Sequence, residues 1–138
     1  MIGIISDTHG LVRPQVLEAL TGAELIIHAG DIGNMDVLKT LETIAPVIAV
    51  RGNNDRGLWA EQIPLTNVVE HRSYSLYVLH ELDHLDVDPV VAEFSAVIFG
   101  HSHRPSAEIR RGVLFLNPGS AGPRRFTLPI AIARLHMT

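Results

Sequence analysis

The sequence predicts an α/β fold, with a parallel sheet and crossover helices in the first half and a strand-rich second half. Three observations carry that expectation. Short apolar runs alternate with helical-period segments over residues 2–52, the pattern of strand–helix–strand units. From residue 66 onward strands outnumber helices, so two sheets or one large mixed sheet are expected. Five apolar runs end in Asp, Asn or His, three of them beside Gly. In open α/β sheets, ligands bind beyond the carboxyl ends of the strands.

The elements follow in order. "IGIIS" (2–6) is too short for a helix and rich in Ile, hence a buried strand. "RPQVLEAL" (13–20) has Pro14 in its first turn and apolar residues at 16, 17 and 20, which fits a helix. "ELIIHAG" (24–30) is a second strand. Residues 34–44 open on a capping Asn34 and repeat apolar residues at 37, 38, 41 and 44, a helical period. "VIAVRG" (47–52) is a third strand. Residues 66–80 read as two strands turning near Arg72–Ser73, and 88–95 as a helix started by Asp88–Pro89. "AVIFG" (96–100) is a further buried strand. Residues 106–120 form a hairpin turning at Arg111–Gly112, and 129–137 a final strand.

Size and composition narrow the function classes. A chain of 138 residues with 46% hydrophobic residues is read as one domain, 1–138, with a real core. It has no apolar run long enough to span a membrane. The start, "MIGIISDTHG", lacks a basic region and a cleavage site, so the expected location is cytoplasmic. A formal net charge of −4 argues against stable duplex nucleic acid as a partner. The chain has no cysteine, so any metal must be held by His, Asp, Glu, Asn or backbone oxygen.

The strand ends carry the functional signal. Strand one runs into Asp7 and His9, strand two into Asp31, and strand three into "RGNND" with Asn53, Asn54 and Asp55. The strand after the first hairpin turn ends at His80, and the next at His101 and His103. Singly these are weak, since Asn and Asp favour turns without any ligand. Turn propensity does not explain five in succession.

The ordered set D-x-H, GD, GN-x-D, H and GH-x-H resembles the calcineurin-like metallophosphoesterase family, and is most similar to its small single-domain phosphodiesterases. The likeness runs from "SDTHG" to "NPGS" at 117–120 and implies a four-layer α/β/β/α sandwich of two mixed sheets. It also implies a dinuclear centre. One metal would take Asp7, His9 and His103, the other Asn53, His80 and His101, with Asp31 bridging. A metal-bridging hydroxide would attack phosphorus in line, since coordination lowers the pKa of water to about 7. Manganese is the first expectation for both ions, with nickel, iron, cobalt and zinc as alternatives. The implied substrate is a small phosphodiester or nucleotide-like ester, and homo-oligomer formation is left open. A protein-interaction scaffold, as the retromer subunit of this fold serves, is the alternative reading.

The chain departs from the family pattern in two places. Many members have His after "GN"; here Asn54 stands there, able to donate to phosphate but not to act as a general acid. That favours a diesterase over a monoesterase. The family's usual Gly after the fourth motif is replaced by Glu81, and His84 competes with His80 as ligand; His80 is preferred because it ends the strand. Arg104 is read as a substrate contact or an exposed Arg, and His28 as a packed histidine supporting the site. His71 and His136 are read as surface residues, and Arg124–Arg125 as a solvated loop.

Overall fold

The computed structural model describes residues 1–137. Strands β1 (Ile2–Ile5), β2 (Leu25–His28) and β3 (Val47–Ala49) alternate with helices α1 (Pro14–Leu20) and α2 (Met35–Glu42). A short helix α3 (Leu58–Glu61) follows, then strands β4 (Thr66–His71) and β5 (Tyr74–Leu79) and a 3₁₀ turn, Leu82–His84. Strands β6 (Ala96–Ile98), β7 (Ser106–Arg110), β8 (Val113–Asn117) and β9 (Ala133–Leu135) complete the chain.

Two mixed sheets result. The first has the order β3-β2-β1-β9, parallel except for β9. The second has the order β4-β5-β6-β8-β7, with β5, β6 and β8 parallel and the edge strands antiparallel. Both hairpins turn where the sequence indicates. Arg72 (φ 58°), Arg111 (φ 52°) and Gly112 (φ 82°) supply the left-handed backbone that two-residue turns require.

Residues of β1 and β2 are buried on both faces, which is why these strands read as continuous apolar runs. Ile2, Ile4, Leu25 and Ile27 pack between the sheets against Val69, Leu76, Val78, Ile98 and Leu116. Ile5 and Ile26 face the other way, onto Val16 and Leu20 of α1 and Val37, Leu38 and Leu41 of α2. Each fully buried aliphatic side chain contributes about 1.5–3 kcal/mol. This double packing holds the strands so that the carboxyl ends of β1, β2 and β3 share one rim with those of β5 and β6.

The outer face of the second sheet is covered differently from expectation. Tyr77, Leu79, Val97 and Phe115 lie under Leu82, Leu85, Val87, Val90 and Phe94, yet residues 88–95 are not a helix. Asp88 does cap: its Oδ1 accepts from Val90 N at 2.9 Å, and Ala92 N reaches the Asp88 carbonyl at 3.0 Å. Glu93 then takes φ 62° and Phe94 N bonds the Pro89 carbonyl, closing a single turn. So short a stretch cannot offset the cost of helix nucleation. The final strand is also shorter than 129–137. Only Ala133–Leu135 pair with β1, while Ile130 makes an isolated bridge to Ser120. Among the described residues no helix is long and apolar enough to cross a membrane.

Candidate metal centre

The loop after β1 is zipped along the loop after β2. Asp7 N donates to the Gly30 carbonyl (2.9 Å), His9 N to the Asp31 carbonyl (3.0 Å) and Gly10 N to the Ile32 carbonyl (2.8 Å). Gly52, after β3, packs on Asp31 so closely that a Cβ would collide with the Asp31 backbone nitrogen and Oδ1. Gly100 N donates to the His80 carbonyl at 2.9 Å, which ties the ends of β5 and β6 together.

These contacts gather the candidate ligands into two adjoining clusters, Asp7 with His9 and His103, and Asp31 with His80 and His101. Asp7 Oδ1 lies 3.3 Å from His103 Nε2 and 3.8 Å from both His9 Nε2 and His80 Nε2. Asp31 Oδ2 lies 3.3 Å from His80 Nε2 and 3.7 Å from His9 Nε2, so this carboxylate stands between the clusters. Asn53 Oδ1 is 3.2 Å from His101 Nδ1. His84, in contrast, lies at the surface with Nδ1 2.9 Å from Glu81. His80, not His84, is thus the histidine beside Asp31.

Other groups aim these side chains. Asp7 Oδ2 accepts from Ser6 Oγ (2.6 Å) and His101 N (3.1 Å), leaving Oδ1 buried with no hydrogen-bond partner. His80 Nδ1 donates to the Ala29 carbonyl at 2.7 Å, which turns Nε2 toward the two carboxylates. His9 Nε2 and His80 Nε2 are also buried without a hydrogen-bond partner. Native proteins rarely orphan buried polar atoms. Three orphans converging among two carboxylates and several imidazoles fit the binding of divalent metal. The donor set, imidazole and carboxylate without thiolate, suits borderline first-row metals.

The backbone at these positions is unusual. Nine non-glycine residues among those described have positive φ, and five are candidate ligands: Asp7 (55°), His9 (46°), Asp31 (55°), His101 (73°) and His103 (63°). Left-handed backbone costs a non-glycine residue about 1 kcal/mol or more and clusters at functional sites.

The electrostatics follow from this crowding. Burial pushes the Asp31 carboxyl up, but His80 and the Asn54 amides outweigh it and hold Asp31 well below the usual carboxylate range. Burial opposes charge on His80 as well, yet Asp31 and Asp7 raise it above an ordinary histidine. His28 is driven down to about 3, first by burial and then by the charge of His80. Its Nδ1 accepts from Gly30 N (3.1 Å), so Nε2 carries the proton and donates to Thr8 Oγ1 (2.9 Å), which donates to the Ile32 carbonyl (2.8 Å). A neutral His28 therefore braces the loop between Asp7 and His9, the supporting place its sequence context suggests.

The remaining predicted residues are placed as follows. Asn54 directs its backbone N–H to Asp31 Oδ1 (2.9 Å) and its side-chain amide to Asp31 Oδ2 (3.1 Å), rather than outward. Arg104 is exposed, and its backbone N–H donates to Ser102 Oγ at 3.2 Å. Asn117 braces the "GHSH" loop, its amide donating to the Gly100 carbonyl and Ser102 Oγ, both at 3.1 Å. Sequence reasoning gave no role to Asp55. Its buried carboxylate accepts from Ile32 N (2.9 Å), Gly33 N (3.0 Å) and Gly52 N (2.9 Å), joining two ligand loops. The last Asp of "GNND" was the available signal. Glu81 also gains a place, with Oε1 3.2 Å from His101 Nε2.

The whole sequence, residues 1–138, matches the calcineurin-like phosphoesterase superfamily domain. The chain belongs to the calcineurin-like phosphoesterase superfamily. A probable metallophosphoesterase of Methanothermobacter thermautotrophicus is 34% identical, over 94% of this chain and 81% of its own. A phosphodiesterase of Methanocaldococcus jannaschii is 30% identical, over 86% of this chain and 82% of its own. Vps29 of Entamoeba histolytica, solved with zinc, superposes with a TM-score of 0.74 at 23% identity, covering 94% of this chain and 79% of that one, a likeness of fold. The superfamily's α/β architecture of two mixed sheets is the one described above.

Proposed function

We propose that this phosphoesterase is a phosphodiesterase that works through two divalent ions held at the strand-end rim. One would be held by Asp7, His9 and His103, the other by Asn53, His80 and His101, with Asp31 shared. The observation that carries the reading is the convergence of buried, unpartnered Asp7 Oδ1, His9 Nε2 and His80 Nε2 around Asp31. Bound ions would supply Lewis acidity toward a phosphoryl oxygen and acidify a water to serve as nucleophile. Manganese remains the first candidate metal.

The protein's own part is positioning. Asn54 holds both Asp31 oxygens, Ser6 holds Asp7, and the Ala29 carbonyl fixes the His80 ring. Hydrolysis adds a water oxygen to phosphorus and expels an alkoxide or aryloxide. Asn54 cannot protonate that leaving group, so esters with good leaving groups are the expected substrates. Sharing of Asp31 by both clusters favours this reading over a scaffold, which would not need ligand positions so fully gathered.

The test is hydrolysis of bis-p-nitrophenyl phosphate by metal-stripped chain reloaded with Mn, Ni, Co, Fe or Zn, with bound metal counted. Turnover with about two ions per chain is expected. Turnover with none of the five metals would overturn the proposal, and fewer than one retained ion per chain would favour the scaffold.

A further inference from the structure

Residues 120–126 leave β8 and run directly over the rim. Ser120 Oγ donates to the Asp7 carbonyl (3.0 Å) and Ala121 N to the Ser6 carbonyl (3.1 Å). Arg13 Nη2 donates to the Gly122 carbonyl at 3.3 Å. A Cβ on Gly122 would collide with the carbonyls of Asp7 and Thr8, so only glycine allows this approach. The segment is thereby fixed to the loop that carries Asp7 and His9. Beyond it, Pro123 stiffens the chain, and Leu128 N closes a turn on the Arg125 carbonyl at 3.1 Å.

That turn forms one wall of a cavity of about 400 Å³, lined by His9, His103, Pro123, Arg124, Arg125 and Phe126. The volume lies within the range of small-molecule sites, roughly 300–1,000 Å³. Phe126 is 88% exposed and has φ 53°. Arg72 and Arg111 take positive φ at hairpin turns and Glu93 at the close of a helical turn. Phe126 takes its positive φ as the second residue of the Arg125–Leu128 turn, and that turn holds its bulky apolar ring in water beside two candidate ligands. Nothing in core packing accounts for that placement.

We propose that residues 123–126 are a substrate-binding wall of the metal centre, with Arg124 and Arg125 meeting phosphoryl oxygens and Phe126 stacking on a planar ring. The substrate class is then a nucleoside phosphodiester. Guanidinium groups bind phosphate bidentately, and an exposed aromatic face accepts any base. Arg104 does not line this cavity, so the substrate contacts move from Arg104 to the 124–126 turn. The inference rests on the phosphodiesterase reading above.

The experiment compares thymidine 5′-p-nitrophenyl phosphate with methyl p-nitrophenyl phosphate on the metal-loaded chain. The nitrophenyl leaving group is the same in both, and only the first ester adds a nucleobase that Phe126 can stack on. Phe126→Ala is expected to lower kcat/KM for the thymidine ester about tenfold more than for the methyl ester, through KM. The double variant Arg124→Ala/Arg125→Ala should raise KM for both esters about tenfold, with Lys at both positions recovering part of the loss. Equal effects of Phe126→Ala on the two esters, or an unchanged KM in the arginine variant, would overturn the wall. Calorimetric titration of the chain as purified with adenosine 5′-monophosphate separates the two proposals. Binding that Phe126→Ala abolishes supports the wall even where no metal gives turnover, in which case the phosphodiesterase reading alone fails. Absence of both binding and ester preference overturns the wall. All three side chains are exposed, so the variants should retain the wild-type thermal midpoint.

Discussion

Two groups of charged side chains sit at opposite ends of the first sheet, and contact distance alone misjudges them. At the amino ends, the Met1 amino group, His71 and Arg72 meet Glu24 at 3.0, 3.4 and 3.1 Å. At the carboxyl ends, Asp7, Asp31 and the imidazoles meet at 3.3–3.8 Å. The first group has the shorter contacts, and its hydrogen bonds to the amino terminus and Arg72 draw Glu24 down to about 2. Yet Glu24 is exposed, and water screens such pairs until little net stability remains. The second group is buried, leaves polar atoms unpartnered and bends its backbone into left-handed conformations. Short contacts mark an ion pair; burial with orphaned polar atoms and strain marks a candidate site.

Substitutions test that contrast, and the largest effect belongs at the rim. Asp31→Asn keeps the shape but removes the shared charge, and should cut metal-dependent hydrolysis of bis-p-nitrophenyl phosphate roughly a thousandfold. A loss under tenfold would show that the two clusters act without it.

Asp55→Ala leaves three backbone donors without their carboxylate. It should cost about 3 kcal/mol in denaturant unfolding and also lower retained metal, because the Asp31 and Asn53 loops lose their tie. Glu81→Gln should weaken metal affinity about tenfold, measured by competition with a chelating dye, because a carboxylate beside a ligand histidine orients it. Unchanged affinity would return Glu81 to the class of surface charges.

Acid tests the same rim by another route. His28 titrates near 3 when folded against 6.5 as its ordinary value. Its contribution is complete above pH 6.5 and declines as pH falls toward 3, because the unfolded chain binds the proton first. At pH 4.5 the loss is on the order of 2–3 kcal/mol in the metal-free chain. His28→Asn should flatten that slope in thermal melts between pH 7 and 4.5. The smallest effect belongs to the amino-end group: Glu24→Gln should leave metal content unaltered and turnover within about twofold.

The rim was largely legible in the sequence because its residues are local to strand ends, and strand ends are visible as apolar runs that stop. Asp7, His9, Asp31, His80, His101 and His103 converge for that reason. Supporting residues were less legible. Asp55 and Asn54 act across loops separated by more than twenty positions, and no periodicity marks such contacts. The 88–95 segment has a helix's start signal but not its length. Arg124–Arg125 reads as a solvated loop in the sequence, since contacts of Ser120, Ala121 and Gly122 with distant residues are what carry that segment over the rim.

The left-handed ligand positions set stability against activity. At Asp7, His9, Asp31, His101 and His103, glycine would relax the backbone, and a chain selected for stability alone would drift toward it. Carboxylate and imidazole at all five positions are therefore held at a cost to folding. A screen for thermostable variants of the metal-free protein should enrich inactive ones at these positions.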